Sequence, residues 1–361
     1  MGLNCGIVGI TGSGKTTLFN SFSRGRNLEG MVSGKPNMGH IEVPDSRLDA
    51  IAALVNPTKV VRTTVDIIDI PGLVKGGATQ KGAGQFLADI RQTDAIIHVL
   101  RCFDNPIVPH VEGSVDPLRD KEIIDLELIA KDIETLDKKL QKLEKQARVG
   151  EKDAAKGVVV LKALMEHFEN GEPARSFATD EESATYLEDC FFLTIKPVIY
   201  VCNVDEASAA NGNAYSQRVL PAIEKEGAEM IVVAALAESD IAQLTDEDDR
   251  IAFLNDLGLS EPGVNKLIRS AYKALDLQTF FTEGPKEVRA WTIRKGTLAP
   301  KAAGVIHSDL ERGFIRAEVK RWEDFVQLGS EHACKQAGKF HIEGKNYIVK
   351  DGDIFHVRFN V

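Results

Sequence analysis

The sequence predicts an α/β fold: a parallel sheet buried on both faces, an antiparallel coiled-coil hairpin inserted into it, and a small α+β module at the C-terminal end. Three observations carry this. Five near-continuous apolar runs are separated by longer segments, which is how strands covered on both faces read. One stretch repeats apolar residues every three and four positions. Beyond about residue 277 the runs become short and closely spaced.

Taken in order, residues 5–10 form the first strand, a Gly-rich turn follows, and residues 15–22 suit a helix. Further strands are expected at 65–70, bounded by Pro71-Gly72, and at 95–102, 197–203 and 230–235. In the segment that starts at Glu122, the residues Leu126, Ile129, Ile133, Leu136, Leu140, Leu143 and Ala147 follow the a/d spacing of a coiled coil. Gly150 and Gly157 bracket a polar turn, and Val160, Leu161, Leu164, Met165 and Phe168 supply the return helix. The Lys and Glu of the remaining positions favour a hairpin projecting into solvent; the alternative is one long amphipathic helix lying on the core. In the C-terminal module, short strands are expected at 288–293, 304–306, 314–319, 345–349 and 353–359, with helices at 322–328 and 331–337. The expected domains are 1–277, with the helical insertion at about 122–190, and 278–361.

The 361 residues allow two or three domains, and 43% hydrophobic with 27% charged residues is the mixture of a soluble globular protein. No apolar run approaches the roughly 20 residues that span a bilayer. The N-terminus enters a strand directly, so secretion is not expected. The five cysteines at 5, 102, 190, 202 and 334 have no metal-ligand spacing and fit buried thiols in a reducing cytoplasm. Net charge is −10, which argues against a surface that coats nucleic acid uniformly. Residues 131–162 carry nine Lys/Arg against six Asp/Glu, and residues 279–361 fourteen against eleven, so each is +3 and the remainder holds −16. Either two mildly basic modules flank an acidic core, or this is ordinary solvated surface.

The chemistry is concentrated in Gly9-Ile10-Thr11-Gly12-Ser13-Gly14-Lys15-Thr16, an unbroken G-x-x-x-x-G-K-[ST] between a predicted strand and a predicted helix. Its glycines let backbone N–H groups turn inward around phosphates, and the helix adds its positive end. Gly9, Gly12, Ser13, Gly14, Lys15, Thr16 and Thr17 are the expected phosphate-binding residues. Lys15 is also assigned a catalytic role, reaching the β- and γ-phosphates, while the Thr16 hydroxyl ligates Mg²⁺. Asp69-Ile70-Pro71-Gly72 closes the second strand, where an acid can hold the Mg²⁺ shell through water and the Gly72 N–H can sense the γ-phosphate. Leu73 stands where many regulatory GTPases place a water-orienting Gln, and a leucine cannot polarise water. Asp69, Gly72 and Leu73 therefore form a candidate switch. Asn203-Val204-Asp205-Glu206 closes the fourth strand, where GTP-specific enzymes carry N-K-x-D. Val204 replaces the Lys and Glu206 the base-reading Asp, which weakens guanine recognition and permits adenine. Asn203, Val204 and Glu206, with Ala234 and Ala235 after the fifth strand, complete the expected nucleotide site. The expected ligand is thus ATP or GTP with Mg²⁺.

Together with His98-Val-Leu-Arg-Cys-Phe and the tail from Lys286-Glu-Val-Arg-Ala-Trp-Thr-Ile to Lys350-Asp-Gly-Asp-Ile, these residues resemble the YchF family, the Obg-like ATPases, over essentially the whole chain. The resemblance implies a G-domain with a helical-hairpin insertion and a C-terminal β-grasp (TGS) domain. It implies a cytoplasmic hydrolase of ATP, with GTP comparable or second, that associates with the ribosome and its RNA. A monomer with no membrane partner is expected. Leu73 fits the hydrophobic residue that marks the family in place of the catalytic Gln. A His occurs in the family at the place of His110, which makes it a second catalytic candidate beside the plainer reading of a surface loop histidine. The chain departs from the pattern in its P-loop, where Thr11, Gly12 and Ser13 replace Pro, Asn and Val. Related potassium-activated enzymes use that Asn to help hold a monovalent cation, so such dependence is in doubt here. In the first switch, Val32-Ser33-Gly34-Lys35-Pro36-Asn37 replaces C-T-I-E-P-N; Ser33 keeps a hydroxyl for Mg²⁺ and Lys35 reverses a charge. Two other functions stay open from the residues alone: a small-molecule P-loop kinase, although no lid is evident, and a nucleotide-binding scaffold with weak hydrolysis.

Overall fold

The structure is a computed structural model that describes residues 3–22, 37–70 and 83–360. The chain forms two compact units, one of Asn4–Gly39 with Asp66–Ser270, the other of Met1–Leu3, His40–Val65 and Ala271–Val361. Residues 40–65 thus join the C-terminal unit, which a break near residue 277 does not anticipate.

A six-stranded sheet, most of whose residues belong to the first unit, runs in the order Asn37–Glu42, Thr64–Asp69, Leu3–Val8, Ala95–Cys102, Val198–Val204, Glu229–Val233. The last four pair in parallel. Ala95–Cys102 and Val198–Val204 are buried at every position, the burial expected of central strands covered on both faces. Their side chains join Val8, Ile10, Ile68 and Ile70 in the main core. The expected α/β class is the one found.

The hairpin consists of Pro117–Arg148 and Lys152–Glu169. Asp116 caps the first helix by accepting from the Arg119 N–H at 3.3 Å, with Pro117 in the first turn where its missing N–H costs nothing. Ile129, Leu136, Leu161, Leu164 and Phe168 are buried between the helices, and Ile133, Leu140 and Leu143 pack against them. Leu126 departs from the expected stripe: it is 54% exposed, because Ile124 and Leu128 turn the helix root toward the sheet core instead. Gly157 also differs. It lies inside the return helix, where an added Cβ would meet Tyr186 Cδ1 at 2.9 Å and Leu143 Cδ1 at 3.0 Å, so it permits close packing and does not make the turn. The turn is left to Gly150, at φ +97. Asp132 ties the hairpin to the following chain by accepting from Leu193 N at 2.7 Å, Thr194 N at 2.8 Å and Thr194 Oγ1 at 2.7 Å.

A charged cluster is buried at the hairpin root. Lys121 Nζ pairs with Asp125 at 2.7 Å and with Glu226, and Arg175 pairs with Glu226 at 2.7 Å and Asp125 at 3.3 Å. Tyr200 donates its hydroxyl to Glu226 Oε2 at 3.0 Å, and the His98 ring packs against Tyr200 at a tilt of 37°, with centroids 5.4 Å apart. Burial, aided by the nearby Lys121 and Arg175 cations, pushes the His98 imidazole down to about 3. His98 is therefore a neutral core residue.

The second unit has a mixed sheet in the order Phe340–Glu343, Phe314–Arg321, Asp353–Phe359, Leu277–Thr282, Glu287–Arg294, Lys59–Val61. The helix Ser46–Val55 sends Leu48 and Ile51 into a core with Phe281, Val288, Phe325 and Ile354. Two expected strands are absent. Residues 304–306 end the helix Ala299–Ile306, which carries a proline in its first turn, and residues 345–349 contribute one bridge, Ile348 to Leu298. The helices Trp322–Leu328 and Glu331–Gln336 lie where expected. All five cysteines are free and buried. No helix among the described residues is long and apolar enough to cross a membrane.

Candidate functional site

The loop between Leu3–Val8 and the helix Lys15–Phe22 is built on glycines that only a residue without a Cβ accommodates. Gly9, Gly12 and Gly14 have φ of +151, +80 and +93. At Gly14 an added Cβ would overlap the carboxamide of Asn203. That carboxamide is a clamp: Asn203 Nδ2 donates to Ser13 O at 2.9 Å, and Oδ1 accepts from Ala235 N at 3.0 Å. Asn203 thereby joins the Gly-rich loop to Ala234 and Ala235, which open the helix Ala235–Gln243.

Lys15 is buried at the helix start, and its ammonium donates back to Ile10 O at 2.9 Å. Burial lowers its pKa to about 8, opposed by Asp69. The Thr16 hydroxyl donates to Asp69 Oδ2 at 3.2 Å, which brings together the two oxygens expected to serve Mg²⁺. Burial raises Asp69, while Lys15 and the Thr16 hydrogen bond hold it down. Thr17 is half-buried in the same turn. Among the described residues no group of three or more His, Cys, Asp or Glu could hold a metal by itself. One hydroxyl and one carboxylate suit Mg²⁺, which keeps several waters and takes its other ligands from phosphate.

At the end of Val198–Val204 the residues separate in role. Val204 is buried in the main core. Asp205 caps the following turn, accepting from Ser208 N at 3.0 Å and Ser208 Oγ at 2.9 Å. Glu206 is exposed. His110 is not at the surface: its side chain is 3% exposed, and Nε2 lies 2.9 Å from Asp120 Oδ2. Nδ1 accepts from Glu112 N at 3.1 Å, which places the proton on Nε2. Burial raises the Asp120 carboxyl, and the hydrogen bonds from His110 and Arg119 oppose it. Ser33, Gly72 and Leu73 lie outside the described residues.

A strand, a loop of three positive-φ glycines and a helix opening with Lys-Thr beside a strand-terminal Asp define a P-loop nucleoside triphosphate-binding protein. Residues 4–162 match the family described as "50S ribosome-binding GTPase", and residues 277–360 match the YchF-GTPase_C family, described as "Protein of unknown function (DUF933)". Proteins named "Ribosome-binding ATPase YchF" from Haemophilus ducreyi, Bacillus subtilis and Escherichia coli O157:H7 are 47%, 45% and 44% identical, each over 100% of both chains. The solved YchF GTPase of Schizosaccharomyces pombe superposes with a TM-score of 0.87 at 34% identity, covering 99% of this chain and 97% of that one. The chain belongs to the YchF family.

Proposed function

We infer that this chain is a P-loop ATPase, able to accept GTP as well, whose nucleotide state governs its association with the ribosome. The observation that carries this reading is the juxtaposition of Lys15, Thr16 and Asp69 at the mouth of the Gly-rich loop. It is supported by full-length relatives named as ribosome-binding ATPases. Thr16 and Asp69, the latter through water, would hold Mg²⁺, which neutralises charge on the phosphates when bound. Gly12, Ser13 and Gly14 supply backbone N–H groups, and Lys15 exchanges its hold on Ile10 O for phosphate oxygens. Glu206 is free to face solvent and base, consistent with relaxed base selection. The basic balance of the hairpin and of the C-terminal unit makes both the proposed contacts to ribosomal RNA, in a cytoplasmic monomer.

Intrinsic hydrolysis is slow in this reading, and a partner accelerates it. Leu73 cannot orient water, and His110 is engaged with Asp120. A group supplied in trans can contribute ~10³–10⁵ in rate. The test is cosedimentation with ribosomes at several salt concentrations, with a non-hydrolysable ATP analogue, ADP or no nucleotide. Pelleting that depends on nucleotide and weakens with salt supports the reading. Equal pelleting in all nucleotide states would refute the switch.

A further inference from the structure

Arg101 occupies the penultimate position of the strand Ala95–Cys102 and is only 1% exposed. A guanidinium has five N–H donors and stays charged in proteins. Burying it without a counter-charge is costly. Yet Arg101 has no carboxylate partner among the described residues. Its Nε donates to Phe103 O at 3.2 Å and its Nη2 to Val108 O at 2.8 Å. Its plane lies over the Phe103 ring, 4.7 Å from the centroid. These contacts fix the guanidinium on the loop that follows the strand. That loop is itself fastened by Asn105, whose Oδ1 accepts from Ile107 N at 2.9 Å and Val108 N at 3.2 Å.

The remaining nitrogen, Nη1, is buried and has no hydrogen-bond partner among the described residues. It faces the Gly-rich loop: the position of a Cβ on Gly12 lies 3.5 Å from Nη1. A buried cation is thus held rigidly by neutral acceptors, with its one unused edge against the middle of a phosphate-binding loop. No anion faces it among the described residues, and a nucleotide's phosphate chain supplies one.

We propose that Arg101 is a phosphate ligand of the nucleotide site, donating from Nη1 to a phosphate oxygen lodged beside Gly12. The inference rests on the nucleotide-binding reading above and adds a side chain to it. The guanidinium is fixed by its bonds to Phe103 O and Val108 O, and because Nη1 is enclosed in the nucleotide-free chain, the Gly-rich loop must shift at Gly12 to admit the phosphate oxygen. Because the contact is to phosphate, it serves ATP and GTP alike.

The test compares the full chain with Arg101→Gln and Arg101→Lys. Equilibrium binding of fluorescent ATP and GTP analogues with Mg²⁺ is measured beside nucleotide-free thermal melting. Arg101→Gln is expected to weaken both analogues by the same factor, about 10- to 100-fold for a charge-assisted hydrogen bond. Arg101→Lys, which keeps the charge, is expected to lose less. The nucleotide-free melting temperature of Arg101→Gln should match or exceed that of the native chain, since an uncompensated buried charge has been removed. A purely structural arginine would behave in the opposite way. Unchanged affinity in Arg101→Gln, or a nucleotide-free form that melts far lower or does not fold, overturns the proposal. Absence of binding by the native chain would instead overturn the nucleotide reading itself.

Discussion

The Asn203 clamp makes a quantitative claim that a double-mutant cycle can check. Asn203→Ala removes both partners of the carboxamide and leaves Ser13 O and Ala235 N unpaired in buried surroundings. Each orphaned group costs about 1–3 kcal/mol, so the single substitution should cost roughly 2–6 kcal/mol. Gly14→Ala has two costs. A non-glycine residue at φ +93 is strained by about 1–3 kcal/mol. The new methyl also displaces the Asn203 carboxamide and forfeits the same two hydrogen bonds. In the double variant those bonds can be lost only once. The two single effects should therefore sum to more than the double effect by about the worth of the clamp, roughly 2–6 kcal/mol. Urea unfolding of the nucleotide-free chain should be followed by far-UV ellipticity, because both tryptophans, Trp291 and Trp322, lie in the other unit. Additivity within about 0.5 kcal/mol would refute the reasoning, since distant independent sites behave that way.

Lys15→Ala should abolish tight triphosphate binding, measured with fluorescent analogues, while leaving nucleotide-free stability almost unchanged, because Ile10 O, to which the ammonium donates, also accepts from Ser13 N at 3.3 Å. His98 is held near 3 in the folded chain, below its unfolded value, so the unfolded state takes up the proton first as pH falls. Stability should fall below about pH 6.5, by roughly 2–3 kcal/mol at pH 4.5, and urea midpoints of His98→Phe should lack this component. His110→Ala should destabilise the fold by about 1–3 kcal/mol by leaving the buried Asp120 carboxylate without its imidazole partner. Single-turnover assays of the same variant decide whether the loop also reaches the nucleotide: a rate unchanged with and without ribosomes would remove His110 from the catalytic candidates.

Much of the fold was legible because its signals are local. The helix at 15–22, the strand at 95–102 and the helix at 322–328 coincide with the residues expected, each delimited by an apolar run with clear polar or glycine neighbours. The failures share a cause. Residues 304–306 are apolar and end in β-branched residues, but they continue an Ala-rich helix whose start is marked by Pro300. Residues 59–61 take their strand from Glu287–Arg289, far away in sequence, so no periodicity announces them. The site was read from two short motifs, the Gly-rich loop for Lys15 and Thr16 and the strand-ending D-x-x-G for Asp69, which is why these residues could be named. The clamping geometry of Asn203, the Asp120 partner of His110 and the orphaned nitrogen of Arg101 follow from burial, which a sequence does not print. Leu126 and Gly157 show the same limit in the hairpin, where spacing alone placed one on the wrong face and the other in the turn.

The ionic cluster beneath the hairpin has a mechanical consequence. The helix Pro117–Arg148 has 32 residues and so is about 48 Å long. It is gripped near one end, where Lys121 and Asp125 interlock with Arg175 and Glu226. A second hold follows at Asp132, tied to Leu193 and Thr194, so the part beyond it is a lever arm of roughly 24 Å with a stiff bearing at its base. A charge network of fixed geometry resists sliding but transmits rotation, so a tilt of about 7° at the base would carry the tip by about 3 Å. That is the distance of one hydrogen bond made or broken. Any change at the sheet that turned the bearing slightly would therefore be read far from it as the presence or absence of a contact.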